Sequence, residues 1–420
     1  MELISFPNGF RVVLDHIPHV ETITMGVWCG VGSRHESPEV GGISHIIEHC
    51  MFKGTANRNL EQIINESADI GGMMNAGTGL ETTSYYLGCL SEYRDQALDL
   101  LADIVMNPIF PESELEKERG VIIQELKMYE DHPDSVAYEA AIKAALPGQA
   151  LGRPIIGTSE TIMSVTRDDL VKYYHSTYCP DKMVLSISGN LGNQTDIIKV
   201  VEQTFATMNG RSSSTTEPFV FSNSEVRIEK DVNQVNLMML FPSVGIYDED
   251  KYTVALLGSI LGSGMSSRLF REIREKRGLC YGIYSGLDTK EDGGLFMIGS
   301  GTDEGNANEL ITATSQEIVT TTRTTVTDDE VRRALITIKS NTVKGLEATG
   351  SRASRSANSV LRFGKLRDIK EEIAKYEAVS IADINRVARE TFSNKPTIGL
   401  CGRLDGVVSY DDVLKSLEMV

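Results

Sequence analysis

The sequence contains no long apolar run, no paired cysteines and no excess of positive charge, and each absence excludes a class of protein. No stretch approaches the roughly 18 apolar residues of a membrane-spanning helix, so we expect no membrane segment. The 6 cysteines are scattered without a Cys-x-x-Cys pair, which favours structural thiols. Acidic residues outnumber basic ones by 59 to 41, and the formal charge of -18 argues against nucleic acid and is compatible with basic peptide substrates.

The amino terminus also lacks the features of a targeting segment. It leads directly into a strand, an Asn8-Gly9 turn and a second strand, without a basic region followed by an apolar core. We therefore expect a bacterial cytoplasmic protein with neither a signal peptide nor a transit peptide. At 420 residues the chain is too long for one ordinary core and suits two domains of about 200 residues each.

Histidine is scarce, but two of the 7 histidines have a spacing that suits metal ligands. The stretch Gly41–Lys53 reads GGISHIIEHCMFK and contains His45, Glu48 and His49 as an H-x-x-E-H. Residues four apart lie on one helix face, so both imidazoles can reach one ion, whereas Glu48 points beside them. Catalytic zinc takes three protein ligands and keeps a fourth position for water, so another ligand must come from elsewhere.

A second helical stretch, Glu116–Asp131, offers that further ligand. Glu125 is the candidate, and Glu118 lies two turns earlier on the same face, where it can hold a histidine in one tautomer. Taken alone, a helical histidine pair is also a common core feature, and two such glutamates are typical of a solvated helix face. The metal interpretation therefore depends on both stretches together.

The residues around these stretches resemble those of a known family. One family pattern, G-x-S-H-x-x-E-H-x-x-F-K-G-T, is present as Gly42, Ser44, His45, Glu48, His49, Phe52, Lys53, Gly54 and Thr55. Another, N-A-x-T-x-x-E-x-T-x-Y, is present as Asn75, Ala76, Thr78, Glu81, Thr83 and Tyr85. On these motifs the chain resembles the pitrilysin-type M16 zinc metallopeptidases, which are inverzincins, and specifically their processing peptidase-like, single-arm branch.

The resemblance implies a role for each residue of the two helical stretches. In the family the third ligand follows 76 residues after the second histidine, and Glu125 occupies that position here. His45, His49 and Glu125 would then bind one Zn²⁺ per chain. Glu48 would act as the general base, and Glu118 would contribute to catalysis from beside the ligands.

The resemblance also implies residues that bind substrate. Asn75 and Ala76 correspond to the family's edge strand, to which an extended peptide adds as a further strand. In the second half, Ser266–Tyr281 reads SSRLFREIREKRGLCY, and Arg274 and Tyr281 have the spacing of a family arginine and tyrosine that face the metal. Tyr281 would serve both substrate binding and catalysis. Without the resemblance, a basic solvated helix face that runs into a core tyrosine is the preferred interpretation of this stretch.

The sequence repeats itself at about half its length. The matching segments are Val165–Leu191 with Val379–Leu404, and Thr327–Asn341 with the helix of Glu118 and Glu125. Two such alignments indicate duplication. In the second copy Ala334 and Asn341 replace the two glutamates, and no histidine follows His175. We therefore expect one metal site per chain, in the first half.

The duplication and the resemblance together predict the organisation of the chain. We predict a zinc-bearing catalytic domain over residues 1–212, a linker over 213–222, and a homologous domain without metal over 223–420. The segment Gly210–Pro218, GRSSSTTEP, supports the linker because small polar residues and a proline cluster there. The family fold is α+β, with two duplicated α/β units that form one arm of a clamshell. Each unit is a mostly antiparallel sheet with helices packed on one face.

The function that the resemblance implies is that of a zinc-dependent endopeptidase. It would cleave extended, unfolded peptides or presequence-like segments inside a closed chamber. Because one chain supplies one arm, a homodimer is the simplest expectation, with Arg274 and Tyr281 acting in cis or across the dimer. The alternatives are a catalytic or noncatalytic subunit of a heteromeric processing peptidase, or a scaffold protein of the same fold.

Overall fold

A computed structural model describes residues 1–418 and shows two units made of interleaved segments. Unit 1 consists of Met1–Leu126, Arg153–Glu217 and Val343–Asp368. Unit 2 consists of Lys127–Gly152, Pro218–Thr342 and the residues from Ile369 onward. The chain passes from one unit to the other four times before a fifth crossing at Ile369, so neither unit is a continuous half of the sequence.

Strands and helices are mixed along both units. Within residues 1–418 the strands are β1 (Glu2–Ser5), β2 (Arg11–His16), β3 (Thr22–Cys29), β4 (Met73–Thr78), β5 (Thr83–Leu90), β6 (Met183–Gly189), β7 (Glu225–Glu229), β8 (Gln234–Ser243), β9 (Ile283–Thr289), β10 (Gly294–Asp303) and β11 (Thr397–Gly402). The α-helices of the same residues are α1 (Ile43–Met51), α2 (Leu60–Asp69), α3 (Arg94–Met106), α4 (Glu112–Asp131), α5 (Pro133–Ala145), α6 (Ser159–Ser164), α7 (Arg167–Thr177), α8 (Gln194–Gln203), α9 (Lys251–Gly262), α10 (Ala307–Arg323), α11 (Asp328–Gly345), α12 (Thr349–Phe363), α13 (Ile369–Glu377), α14 (Ile381–Phe392) and α15 (Tyr410–Ser416). A π-helix covers Phe270–Lys276.

Unit 1 is built on a six-stranded sheet in the order β1-β2-β6-β3-β5-β4. The β2–β6 pair is parallel and the other pairs are antiparallel, which confirms the predicted mostly antiparallel sheet. Strand β3 lies in the interior of this sheet and is buried on both faces. Ile23, Met25 and Val27 belong to the main core with α1 and α3, whereas Trp28 belongs to a second cluster with α12. The helix with the predicted metal ligands and α12 therefore cover opposite faces.

Helix α12 covers its face of the unit 1 sheet although it comes from the second half of the sequence. Its small buried residues Ala353, Ser356 and Ala357 allow close packing against β6 and β3. The predicted domains, residues 1–212 and 223–420, place α12 in the second domain, whereas it packs on the sheet of unit 1. Because α12 covers the second face of this sheet, the prediction of helices on one face describes only the larger helical layer, which contains α1 and α3. The period of an amphipathic helix marks its buried face but does not identify the sheet that covers it.

An ion pair attaches α12 to the sheet of unit 1. Arg352 donates from Nε to Asp15 Oδ2 at 2.5 Å and from Nη2 to Asp15 Oδ1 at 2.9 Å. Asp15 is only 2% exposed, and its hydrogen bonds raise the pKa of the Arg352 guanidinium. Such two-point contacts hold a guanidinium and a carboxylate in one fixed geometry.

We expect Arg352→Ala to loosen α12 because it leaves the Asp15 carboxylate buried without its cation. The free energy of local opening should fall by about 2 kcal/mol, between the values for exposed and fully buried pairs. Amide hydrogen exchange in α12 should then be about 30-fold faster, because local opening limits exchange there. Lys365→Ala, an exposed charge just beyond α12, is the matched control and should leave this rate unchanged. Equal exchange rates in both variants would contradict the prediction.

Unit 2 is built on a five-stranded sheet in the order β7-β11-β8-β10-β9. Its β7–β11 pair is parallel and the others are antiparallel, which repeats the order and directions of β2-β6-β3-β5-β4 in unit 1. Helix α5 covers one face of this sheet and packs closely on Gly399 of β11. A Cβ at Gly399 would lie only 2.5 Å from the carbonyl oxygen of Ala137, so the close contact depends on the glycine. The opposite face carries the core of α9, α10 and α14. The two duplicated units of the prediction are thus confirmed as a fold.

Two further features concern the whole described chain. No helix within residues 1–418 combines the length and the apolar content that crossing a membrane requires. All 6 cysteines are free thiols, and all of them except the half-buried Cys280 are buried. Cys29, Cys50 and Cys89 pack as small apolar residues in the core of unit 1.

Candidate metal centre

Helix α1, which carries the two histidines, is held at its first turn by a buried carboxylate. Gly42 precedes the helix with a φ of 93°, a left-handed conformation that favours glycine. The Glu36 side chain accepts hydrogen bonds from the backbone N–H groups of Gly42 at 2.7 Å and Ser44 at 2.8 Å. Burial raises the pKa of Glu36 to about 7, although these hydrogen bonds favour the ionised form. Sequence reasoning missed Glu36 because only the folded loop brings it to the helix.

His45 and His49 project from one side of α1, with ring centroids 4.7 Å apart. On the other side, Ile46, Ile47 and Cys50 are buried in the core of unit 1 and fix the rotation of the helix about its axis. Burial, with a smaller contribution from His49, lowers the pKa of His45 to about 4. This imidazole is therefore neutral at neutral pH, which is the form that binds metals.

Helix α4 brings Glu125 to the two histidines. Its Oε2 atom lies 3.7 Å from His45 Nε2 and 3.5 Å from His49 Nε2. The ligand atoms of these three residues all lie within 4.8 Å of one another. Bonds of 2.0–2.2 Å in a tetrahedron place neighbouring ligand atoms about 3.4 Å apart, so the donor set and its spacing fit a zinc ion.

Glu118, two turns before Glu125 on α4, orients His49. Its Oε2 lies 2.9 Å from His49 Nδ1, and its Oε1 accepts from Lys53 Nζ at 2.7 Å. Burial acts to raise the pKa of Glu118, but the hydrogen bonds from Lys53 and His49 outweigh it, and the pKa lies below its usual value. An ionised Glu118 accepts the Nδ1 proton of His49 and leaves the Nε2 lone pair free toward Glu125. Lys53 was part of the recognised motif, but its ion pair was not predicted.

Glu48 stands beside this group and does not belong to it. Its Oε2 accepts a hydrogen bond of 2.5 Å from Thr78 Oγ1, at the end of β4. Burial raises the pKa of Glu48, although the Thr78 hydrogen bond acts in the opposite direction. One carboxylate oxygen is thus held by the sheet, and the contact between Glu48 and Thr78 was not foreseen from the sequence.

The predicted substrate residues Asn75 and Ala76 lie on β4. This strand pairs with β5 on one side and is an edge of the described sheet on the other. Ala76 packs against the main core on the side of α1, and Asn75 is exposed. An edge strand offers unpaired backbone groups to which an extended peptide can add.

Arg274 and Tyr281 lie in unit 2, whereas the metal donors lie in unit 1. The guanidinium carbon of Arg274 is 5.2 Å from the ring centroid of Tyr281 and 4.5 Å from that of Phe270. Tyr281 is 87% exposed, so the alternative interpretation of this residue as a core tyrosine is wrong. The structure brings these two residues to one another, and their role in substrate binding stays a prediction.

Fold and site together define an α+β protein with a centre of two histidines and one glutamate, a donor set that zinc peptidases use. Comparison with known proteins gives the same class. Residues 11–159 match the family described as Insulinase (Peptidase family M16), and residues 164–338 match the Peptidase M16 inactive domain. The chain belongs to peptidase family M16.

Relatives and solved structures extend over nearly the whole chain. An uncharacterized zinc protease of Bacillus subtilis, YmxG, is 36% identical over 394 residues, 94% of this chain and 96% of that protein. An uncharacterized zinc protease of Rickettsia bellii is 35% identical over 396 residues, 94% of this chain and 96% of that protein. The crystal structure of a protease from Helicobacter pylori has a TM-score of 0.87 at 21% identity, covering 96% of this chain and 99% of that chain. This structural likeness shows the fold alone.

Proposed function

We propose that the chain is a zinc-dependent endopeptidase that cleaves extended, unfolded peptides. The observation that carries the proposal is the position of Glu125, whose carboxylate lies 3.5 and 3.7 Å from the two imidazole nitrogens of α1. A second carboxylate, Glu48, stands next to this group without joining it. A donor trio with an adjacent base is the arrangement that zinc-dependent hydrolysis of a peptide bond uses.

The proposed division of labour follows from the contacts of each side chain. When bound, zinc supplies a water whose pKa is about 7 and polarises the scissile carbonyl. Glu48 would accept a proton from the attacking water at Oε1, because Oε2 is engaged by Thr78, and would donate it to the leaving amine. Glu118 keeps the His49 ring in the tautomer that leaves Nε2 free.

The substrate would be held by its backbone along β4. The edge of this strand ends at Thr78, which contacts Glu48, so a peptide paired with β4 would run past the proposed base. Recognition through the backbone requires an unfolded substrate, because a folded protein has already paired its backbone groups. In the same proposal a homodimer forms a closed chamber, and Arg274 and Tyr281 contact the substrate there, with Tyr281 as a donor to the developing oxyanion.

Metal removal tests the proposal directly. We expect about one zinc per purified chain by elemental analysis, and turnover of a quenched, basic, unfolded peptide. Dialysis against a chelator should lower the rate of cleavage at least about 100-fold, and stoichiometric zinc should restore it. A folded protein that contains the same peptide sequence is the control substrate and should resist cleavage. Bound zinc without turnover of any unfolded peptide would instead favour a noncatalytic subunit or a scaffold.

A further inference from the structure

A cavity of about 760 Å³ lies between the sheet of unit 1 and helix α12. It is on the face of the sheet opposite to α1, so the metal donors and Glu48 do not line it. Its walls come from β3, β4 and β5 on one side and from the first two turns of α12 on the other. Its volume is in the range of sites that bind small ligands.

The sheet side of this cavity is aromatic. The rings of Trp28 and Tyr86 are nearly parallel, at 7° between planes and 6.4 Å between centroids. Gly26 lies between them: a Cβ there would be 2.7 Å from both the Trp28 ring and Tyr86 Cβ. Only glycine leaves room for both rings at this position, where they form an apolar floor of the cavity.

The cavity reaches the edge of the sheet at Gly77 of β4. Gly77 is exposed, and a Cβ built on it would meet no atom within 4 Å. Any larger side chain at this position would stand in the space between the free edge and the aromatic floor. Gly77 thus leaves the cavity open toward the place where a peptide would pair with β4.

The pleat of a paired strand decides which substrate side chains can enter. Directly opposed residues of two paired strands point to the same face. Peptide residues opposite Ala76 and Thr78 would point toward α1, because those two residues face that side. The alternate residues, opposite Asn75 and Gly77, would point to the face of Ser84 and Tyr86, which is the face of the cavity.

We propose that this cavity is a specificity pocket for alternate side chains of the peptide bound along β4, and that it prefers large aromatic side chains. The inference rests on the proposed peptidase function. Thr24 and Trp28, four residues apart on β3, both line the cavity, so it extends about 13 Å along the strand. Side chains on one face of a strand repeat about every 6.6 Å, so the pocket takes two of them, two residues apart.

The lining explains the expected preference. Trp28 and Tyr86 offer flat apolar surface, and Ser84 and Ser351 offer hydroxyls at its margin. The only charged residue of the lining, in the described chain, is the cation Arg355, and no carboxylate is present there. A lysine or arginine side chain would lose hydration without gaining a counter-charge, so we expect such substrates to be poor at these positions.

A panel of peptides tests the pocket. An unfolded, quenched peptide is varied one position at a time to alanine, tryptophan or lysine, and kcat/KM is measured for each. Wild type should prefer tryptophan over alanine about 10-fold or more at two positions that are two residues apart. The variant Ser351→Phe fills the cavity from α12, at an exposed helix position. Its tryptophan-to-alanine ratio should fall to about 1 at both positions, because the pocket is occupied.

The design separates failure of the pocket from failure of the peptidase proposal. Ser159→Phe places the same side chain at an exposed serine of α6, outside the cavity, and should keep the wild-type ratio. Gly77→Val narrows the cavity from the strand side and should lower the ratio as Ser351→Phe does. Cleavage by wild type with no alternating preference, or a preference retained in both cavity variants, would overturn the pocket and leave the peptidase proposal standing. No cleavage of any peptide by zinc-loaded wild type would overturn both.

Discussion

The variant Glu48→Gln is expected to bind zinc like wild type and to lose nearly all turnover. Glutamine keeps the size of the side chain, and its amide oxygen can still accept the hydrogen bond of Thr78 Oγ1. It cannot take a proton, so kcat/KM for an unfolded peptide should fall by about 10³-fold. Elemental analysis and a quenched-peptide assay on the same preparation measure both properties.

A matched control separates loss of the base from a general loss of negative charge. Glu112→Gln changes one acid to an amide at the start of α4, outside the donor trio, and should keep both zinc and activity.

Thr78→Val is a more demanding comparison, because it leaves the Glu48 carboxylate intact and removes only its hydrogen bond. We expect a loss of about 10-fold for Thr78→Val, the size of one hydrogen bond to a charged group. A zinc-loaded Glu48→Gln that cleaves at the wild-type rate would rule out Glu48 as the base.

Local periodicity identified the candidate metal donors on each helix separately. The four-residue interval places His45 and His49 on one side of a helix, and the seven-residue interval does the same for Glu118 and Glu125. The structure places these four residues together, with Glu118 on His49 Nδ1 and Glu125 near both Nε2 atoms. The spacing by itself did not show that the two helices meet; that expectation came from the family resemblance.

Other features depend on tertiary contacts that leave no local pattern. Thr78 reaches Glu48 from a different strand, Lys53 reaches Glu118 from beyond the end of α1, and Glu36 reaches the start of α1 through a loop. The positions of α5 and α12 also depend on tertiary contacts: α5, from the first half of the sequence, belongs to unit 2, and α12, from the second half, belongs to unit 1. Both helices have a small buried face, but the sequence does not reveal which sheet each face covers, so continuous domains were the natural prediction. The mostly antiparallel character of each sheet was expected from the family resemblance, whereas the strand order was not predicted.

Glu125→Gln should differ from Glu48→Gln in losing zinc as well as turnover, because it removes a ligand rather than a base. The amide is a weak, neutral donor, so two imidazoles would be left to hold a cation that needs three protein ligands in a catalytic site. We expect the variant to be purified with less than about a tenth of the wild-type zinc, and to lose turnover with it. Far-UV circular dichroism should be unchanged, since Glu125 is half-buried at the surface of the site.

Glu118→Gln is the matched control for the loss of the metal ligand. It lies on the same helix and also contacts His49, but through Nδ1, so all three donors remain. Losing such an orienting carboxylate typically weakens metal affinity by about 10- to 100-fold, so Glu118→Gln should recover zinc and turnover when micromolar zinc is supplied. Glu125→Gln should not recover under the same conditions. If both variants respond to added zinc in the same way, Glu125 is not the third ligand, and the metal would have to be held by His45 and His49 with another group.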